Sequence, residues 1–317
     1  DGTSDCVDDD GDGHSEVDGD CDDTDPTITR ASCGARALGI TSLANGFNVI
    51  DLNTWQNEAY ALPNGAYQGA SAIDGTLYFA TRIYKDIQEV TVEPFTSRAI
   101  TNYAYETMAV IPSTDQTELF VLLKNGVLET YSLVDGTRRS LTLNGNLRAM
   151  SLDEDYLWIC SSDGYVHRVD TQSLSAITKV VGTECYGPPV VDVARQQVII
   201  NGYEDYQLSS IRRSDLSIVH TVETSRRVLR GTVVGDTVWL TTGVDKSIRV
   251  HDAQTLEFLQ ELPLGTPAQG IWFDAYRELV WVALFDADEV IAFVPRTFEE
   301  RVSLQVTEPV NLFPVHP

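Results

Sequence analysis

Residues 238–256 read VWLTTGVDKSIRVHDAQTL. Two apolar runs, VWLTT and SIRVHD, flank the short polar link Gly243 to Lys246, and the second run ends at Asp252 in a turn, AQTL. Each run has the length and β-branched content of a strand, and the link is short enough for a hairpin. The first run recurs along the chain: LYFAT from Leu77, LFVLL from Leu119, LWICS from Leu157, VIING from Val198 and VWVAL from Val280. With Val238 in its place, the starts are 42, 38, 41, 40 and 42 residues apart. Stepping back 39 residues from Leu77 reaches Leu38, which opens LGITS. The chain therefore repeats seven times at a period of about 40 residues, and helical periodicity is absent over any useful length.

Each unit holds four strand candidates. An inner apolar strand such as MAVI, PVVD or GIWF comes first, then the recurring run, then a third strand such as YVHRVD, SIRVHD or FNVIDL. Asp51, Asp170 and Asp252 end three of these third strands, before turns into a fourth. Continuous apolar character in the second strands fits sheets buried on both faces. This spacing predicts an all-β fold, a seven-bladed β-propeller over residues 37–317. The first unit lacks an inner strand, while the C-terminus ends in an extended run, Val310 to Val315, at the inner-strand period from GIWF. That run is expected to complete the first blade and close the ring, which removes an open edge and ties down a terminus.

The Val-x-Asp-x-x-Thr-Leu turn at Val250–Leu256 carries a resemblance to the seven-bladed propellers of the YVTN and quinoprotein-like superfamily. The resemblance implies the fold and no one function, because propellers host lactonases, lyases, cofactor dehydrogenases and pure binding proteins. Ligands of such rings usually meet the face carrying the second-to-third-strand loops and the crossings between blades. The loops bring Tyr84, Asp86, Asp163, Tyr203, Glu204, Asp205, Asp245, Asp286 and Asp288, and the crossings bring Tyr67, Tyr186, Arg226 and Arg227. This acidic and aromatic rim suits a sugar, a cationic peptide or calcium, unless these are ordinary polar loop residues.

Catalytic evidence is thin. His14, His167, His220, His251 and His316 are scattered, and neither G-x-S-x-G nor H-E-x-x-H occurs. The inner strands are read as carrying almost no ionisable residues near the axis. Trp158, Trp239 and Trp281 share one place in their repeats, so they read as core between blades rather than cofactor contacts.

The first 25 residues, DGTSDCVDDDGDGHSEVDGDCDDTD, hold 12 carboxylates and no Lys or Arg. Such a run is either a solvated acidic tail or is neutralised by divalent cations. Asp8, Asp10 and Asp12 alternate and Gly13 follows, the oxygen ladder and sharp turn of a calcium loop. His14 falls where such loops use a backbone carbonyl, and Glu16 holds the ninth position. The twelfth position is Gly19 rather than Glu and no amphipathic helix flanks the loop, so this is not a standard EF-hand. Asp20, Asp22, Asp23 and Asp25 form a second cluster able to close the site or build another. The D-x-D-G-D-G core resembles a thrombospondin type 3 calcium repeat. The run from Asp20 to Pro26 resembles the short acidic motif of bacterial secreted proteins named after the copper protein MopE. Hard carboxylates suit Ca²⁺ better than copper. Residues 1–36 are thus expected to form a metal-binding loop segment with Ca²⁺ as its cofactor.

Cys6 and Cys21 bracket the ladder and are placed to staple it. Cys160 and Cys185 fall on one face in adjacent blades, where a disulfide between blades four and five competes with two buried thiols. Cys33 is left over, and the absence of C-x-x-C argues against zinc. Residues 26–317 carry 35 acidic and 22 basic residues, a net of −13, which argues against nucleic acid and anionic membranes as partners. No apolar run is long enough for a membrane span. The first residue is Asp and no signal peptide is visible, as in a processed or trimmed chain. Calcium loops with paired cysteines point to an extracellular, cell-surface or periplasmic setting. The expected function is a non-catalytic binding or structural module, with a surface protein, a polysaccharide or copies of itself as partner. The rival is a lactonase or lyase working at the acidic face.

Overall fold

The computed structural model describes residues 35–315, apart from residues 44, 45, 63, 73, 74 and 154. The acidic segment, with its expected calcium ligands and Cys6, Cys21 and Cys33, lies outside the described residues. The described residues form seven four-stranded antiparallel sheets. The recurring apolar runs are the second strands, among them Leu77–Ala80, Tyr156–Ser161, Thr237–Thr241 and Leu279–Leu284. Every residue of Leu279–Leu284 is buried, because a blade interior packs against neighbouring blades on both faces. Outer strands behave oppositely: Ala176–Val180 is exposed throughout. Lys179, Arg139 and Arg301 sit on such outer edges, where charge discourages pairing with another sheet.

Inner strands line the axis, and most touch the inner strand of the next blade. They are Gln68–Ser71, Thr107–Pro112, Leu147–Leu152, Val190–Asp192, Arg230–Val234, Ala268–Asp274 and Pro309–Val315. The last of these pairs antiparallel with Ala37–Ser42, so the first blade takes its inner strand from the C-terminus. The described core divides into seven clusters, each shared by two adjacent blades. Trp158, Trp239 and Trp281 are at most 1% exposed and belong to three of these clusters. Burying a side chain of that size contributes roughly 2–3 kcal/mol.

In blades one, four and six the turn between third and outer strand uses one device. Oδ1 of Asp252 accepts the N–H groups of Gln254 at 2.9 Å and Thr255 at 2.7 Å. Asp51 does the same for Asn53 and Thr54, and Asp170 for Ser173. The next residue closes the turn by donating its N–H to the aspartate carbonyl, as Leu256 does at 2.9 Å. It takes a left-handed conformation, with φ of 59° at Trp55, 53° at Leu174 and 61° at Leu256. For a residue with a Cβ this costs about 1–2 kcal/mol. Burial of Leu256, which is fully enclosed, offsets that cost.

Candidate functional site at the ring axis

All inner strands begin at the same end of the ring, the end that carries the second-to-third-strand loops. Their entrance residues therefore converge on the axis. Gln68, Arg148 and Arg230 stand at the first or second position of their strands, with Met108 between them. With Tyr67, Arg82 and Tyr186 they line a cavity of about 50 Å³. The expectation that inner strands carry almost no ionisable residues is corrected here by Arg148 and Arg230. The quoted inner runs, MAVI, PVVD and GIWF, belong to the third, fifth and seventh blades, whereas Arg148 and Arg230 stand in the fourth and sixth. Comparing one register position across the repeats would have revealed them.

The three arginines differ in how they are compensated. The Arg82 Nε donates to Glu106 at 3.0 Å, its guanidinium lies 4.9 Å from the Tyr67 ring centre, and Glu106 also binds Lys124. Burial works against the Arg82 charge, but Glu106, Tyr67 and Tyr186 outweigh it and hold its pKa above the ordinary value. Arg148 and Arg230 make no ion pair among the described residues, and Nε of Arg148 is buried without a hydrogen-bond partner. Desolvation pushes the pKa of Arg230 down, with Tyr67 and Tyr186 opposing. Burial raises the Tyr186 pKa, helped by Tyr67 and Tyr203 and opposed by Arg148 and Arg82.

A disulfide positions Tyr186. Cys160 is the last but one residue of a second strand, and Cys185 sits in the next crossing, with Cα atoms 5.8 Å apart. This bridge joins blades four and five and anchors the segment one residue before Tyr186. Backbone bonds from Cys185 to Ser161 and from Tyr203 to Glu184 add to it. Tyr186 and Tyr203 stack with ring centres 4.8 Å apart, and Arg227 lies 5.1 Å from the Tyr203 ring centre. Tyr186 is 48% exposed, so the stack is both wet and held.

The acidic rim residues are largely committed to neighbours. Glu204 pairs with Arg227 at 3.3 Å, and Asp245 pairs with Arg226 at 3.3 Å and accepts the Arg227 N–H. Asp205 accepts the N–H of Glu184 at 2.7 Å and Asp163 that of Asn146 at 3.0 Å. Asp86 is buried and holds Thr81, Asn64 and Gln88, so it does not face ligand. Asp286 lies in the short 3-10 turn Phe285–Ala287, and Asp288 after it accepts the Glu308 N–H at 2.7 Å. Tyr84 is exposed beside Ile83, on a groove of about 430 Å³ that shares Tyr67 and Arg82 with the axial cavity. The structure thus brings Tyr203, Glu204 and Asp245 together with Tyr186. Tyr84 lies on blade two and Asp286 and Asp288 on blade seven, so they stand apart from that cluster.

Among the described residues no three His, Cys, Asp or Glu side chains are grouped to hold a metal ion. Nor is any helix long and apolar enough to cross a membrane. His167 and His251 are buried in third strands, where desolvation lowers both pKa values.

No protein-family model and no curated protein matches the chain. Among solved structures it is similar to the dihydro-heme d1 dehydrogenase NirN in complex with DHE. That likeness has 13% identity and a TM-score of 0.68 over 89% of this chain and 75% of the other. A chain of the mitotic checkpoint complex matches at 13% identity and a TM-score of 0.66, over 78% of this chain and 82% of that one. A functionally unknown protein from Desulfotomaculum acetoxidans DSM 771 matches at 13% identity and 0.69, over 88% and 99%. Likenesses at this identity establish the propeller fold and nothing finer.

Proposed function

We propose that this chain is an extracytoplasmic bacterial binding module of the YVTN type, with a calcium-binding N-terminal segment and no catalytic role. The observation that carries the binding reading is the Tyr186–Tyr203 stack, exposed at the loop face and anchored by a disulfide next to it. Rigid aromatic surface flanked by paired charges gives contact area at small entropic cost, which suits a polysaccharide or a protein of the cell surface. The disulfide is compatible with an extracellular or periplasmic address. In the N-terminal segment, Asp8, Asp10, Asp12, Glu16, Asp20, Asp22, Asp23 and Asp25 supply the carboxylates for Ca²⁺. Once ordered, that segment is a natural connector to another copy of the chain.

The calcium proposal is tested by metal content of the purified protein, with melting before and after chelation. One or more calcium ions per chain and a chelator-sensitive early transition are expected. A metal-free protein with a chelator-indifferent melt would leave residues 1–25 a solvated tail. Self-association has its own test in size-exclusion mass: a monomer with and without chelator ends it. The lactonase or lyase reading assigns chemistry to Glu204, Asp245 or Asp286. Arg227 and Arg226 already hold the first two carboxylates. It requires turnover of lactones or polyuronates that collapses on substitution of these residues by Ala.

A further inference from the structure

We infer that the axial cavity is an oxyanion site, in which Arg148 and Arg230 hold the carboxylate or phosphoryl group of a small ligand. This deepens the binding-module reading and rests on it, since Tyr186 belongs to both the stack and the cavity wall.

The argument begins with charge. The chain carries a formal charge of −25, yet it leaves two inner-strand guanidiniums facing one small cavity with no carboxylate partner among the described residues. Both side chains are half-buried, so each unpaired guanidinium loses part of its hydration at a cost, and two like charges at one cavity add repulsion. The opposite end of the ring shows what this fold does with structural arginines. Arg213 pairs with Asp153 at 2.8 Å, Arg195 with Asp192 at 3.0 Å and Arg277 with Asp274 at 3.0 Å. At the axial cavity the partner is lacking, and the Nε of Arg148 is buried with no acceptor. An anion arriving from solvent supplies what the Asp residues supply elsewhere.

Size and shape narrow the ligand. A cavity of about 50 Å³ exceeds the roughly 10–15 Å³ that one water needs, but takes only a head group. Guanidinium forks match the paired oxygens of a carboxylate or phosphate. Tyr67 and Tyr186 wall the cavity, and Gln68 adds a neutral amide. Next to it, the groove bounded by Leu43, Ala66, Ile83 and Tyr84 gives the ligand's body an apolar wall. Arg82 has its charge met by Glu106, so it contributes a stacked wall with Tyr67 rather than a free cation.

Thermal melting at fixed ionic strength tests this, with acetate, benzoate and inorganic phosphate as probes. Wild-type protein is expected to gain several degrees, saturating with concentration, from at least one probe. Arg148→Gln and Arg230→Gln are each expected to weaken that response tenfold or more, and to melt no lower than wild type without anion. A response to acetate or benzoate assigns a carboxylate, and a response to phosphate alone assigns a phosphoryl group. Should either Gln variant fail to fold, Arg148→Lys and Arg230→Lys keep the charge, and both are still expected to weaken the response by losing the fork. The same dose response in wild type and variants, or no saturable shift with any probe, overturns the site. Cosedimentation with insoluble polysaccharide separates the two readings: Arg148→Gln that still cosediments but has lost the anion response supports the cavity site, whereas wild type that shows the anion response without cosedimenting counts against the polysaccharide reading alone.

Discussion

At the scale of single residues, buried charge is the sharpest determinant. Asp153 is 4% exposed at the side chain and accepts from Arg213 at 2.8 Å and from the Trp158 indole N–H at 2.6 Å. The three groups come from blades four and five, so the pair ties two blades as well as neutralising itself. Arg213→Ala strands a buried carboxylate and is expected to cost about 3–5 kcal/mol. Replacing Arg213 by Met together with Asp153 by Asn is expected to cost much less, because both charges go while an acceptor stays for the Trp158 indole N–H. Urea unfolding of the two single variants and the double variant measures this. Equal losses for single and double variants would contradict the ion-pair account. Residues of this kind divide by legibility. Trp158, Trp239 and Trp281 could be placed in the core because a repeated indole at one repeat position has to go where every blade has its interior. Arg148 and Arg230 could not be found by scanning for apolar runs, since the first interrupts its strand's apolar stretch and the second precedes it. Asp86 shows the reverse error: a loop-adjacent carboxylate that the chain buries to hold its own turn.

At the scale of the element, the third-to-outer turn couples sequence to pH. Oδ1 of Asp252 accepts two backbone N–H groups and the Thr255 hydroxyl, and the Thr255 backbone bond leads the causes that hold its pKa below the ordinary 3.8. A carboxyl group depressed by folding stabilises the native state above its unfolded pKa. That stability is lost as pH falls below about 4 and through the lower folded value. Asp170 follows the same rule through Ser173. Asp252→Asn keeps an acceptor oxygen but no charge. It is expected to melt about as wild type at pH 2 and several degrees lower at pH 6, with a flatter profile between them. Parallel profiles for the two proteins over that range would remove the turn from the pH account. These turns were legible because an Asp, a Thr or Ser three residues on and a large apolar residue after it recur, each for a local reason: acceptor, second donor and left-handed closure. The role of each rim carboxylate was not legible, because Glu204 and Asp245 meet Arg227 and Arg226 across blade boundaries that spacing does not specify.

At the scale of the whole molecule, closure is a packing problem centred on one ring. Phe313, in the C-terminal inner strand, is 6% exposed and meets Phe79 of the second blade edge-on at 5.9 Å. Gly39 and Gly69 face it from the first and second blades, and a Cβ on either would overlap the Phe313 ring. Two glycines thus make room for one aromatic side chain that joins the last strand of the sequence to the first two blades. An open array of repeats behaves as a chain of nearest neighbours and frays from its ends, whereas a closed ring has no end to fray from. Phe313→Ala leaves a cavity between blades one and two and is expected to cost about 3–5 kcal/mol. If closure couples the blades, the loss spreads. Amide hydrogen exchange in the strands of blade four, far around the ring, is then expected to accelerate by the same factor as in blade one. Faster exchange confined to blades one and two, with blade four unchanged, would mean that the C-terminal strand stabilises its neighbours locally and that the ring unfolds blade by blade.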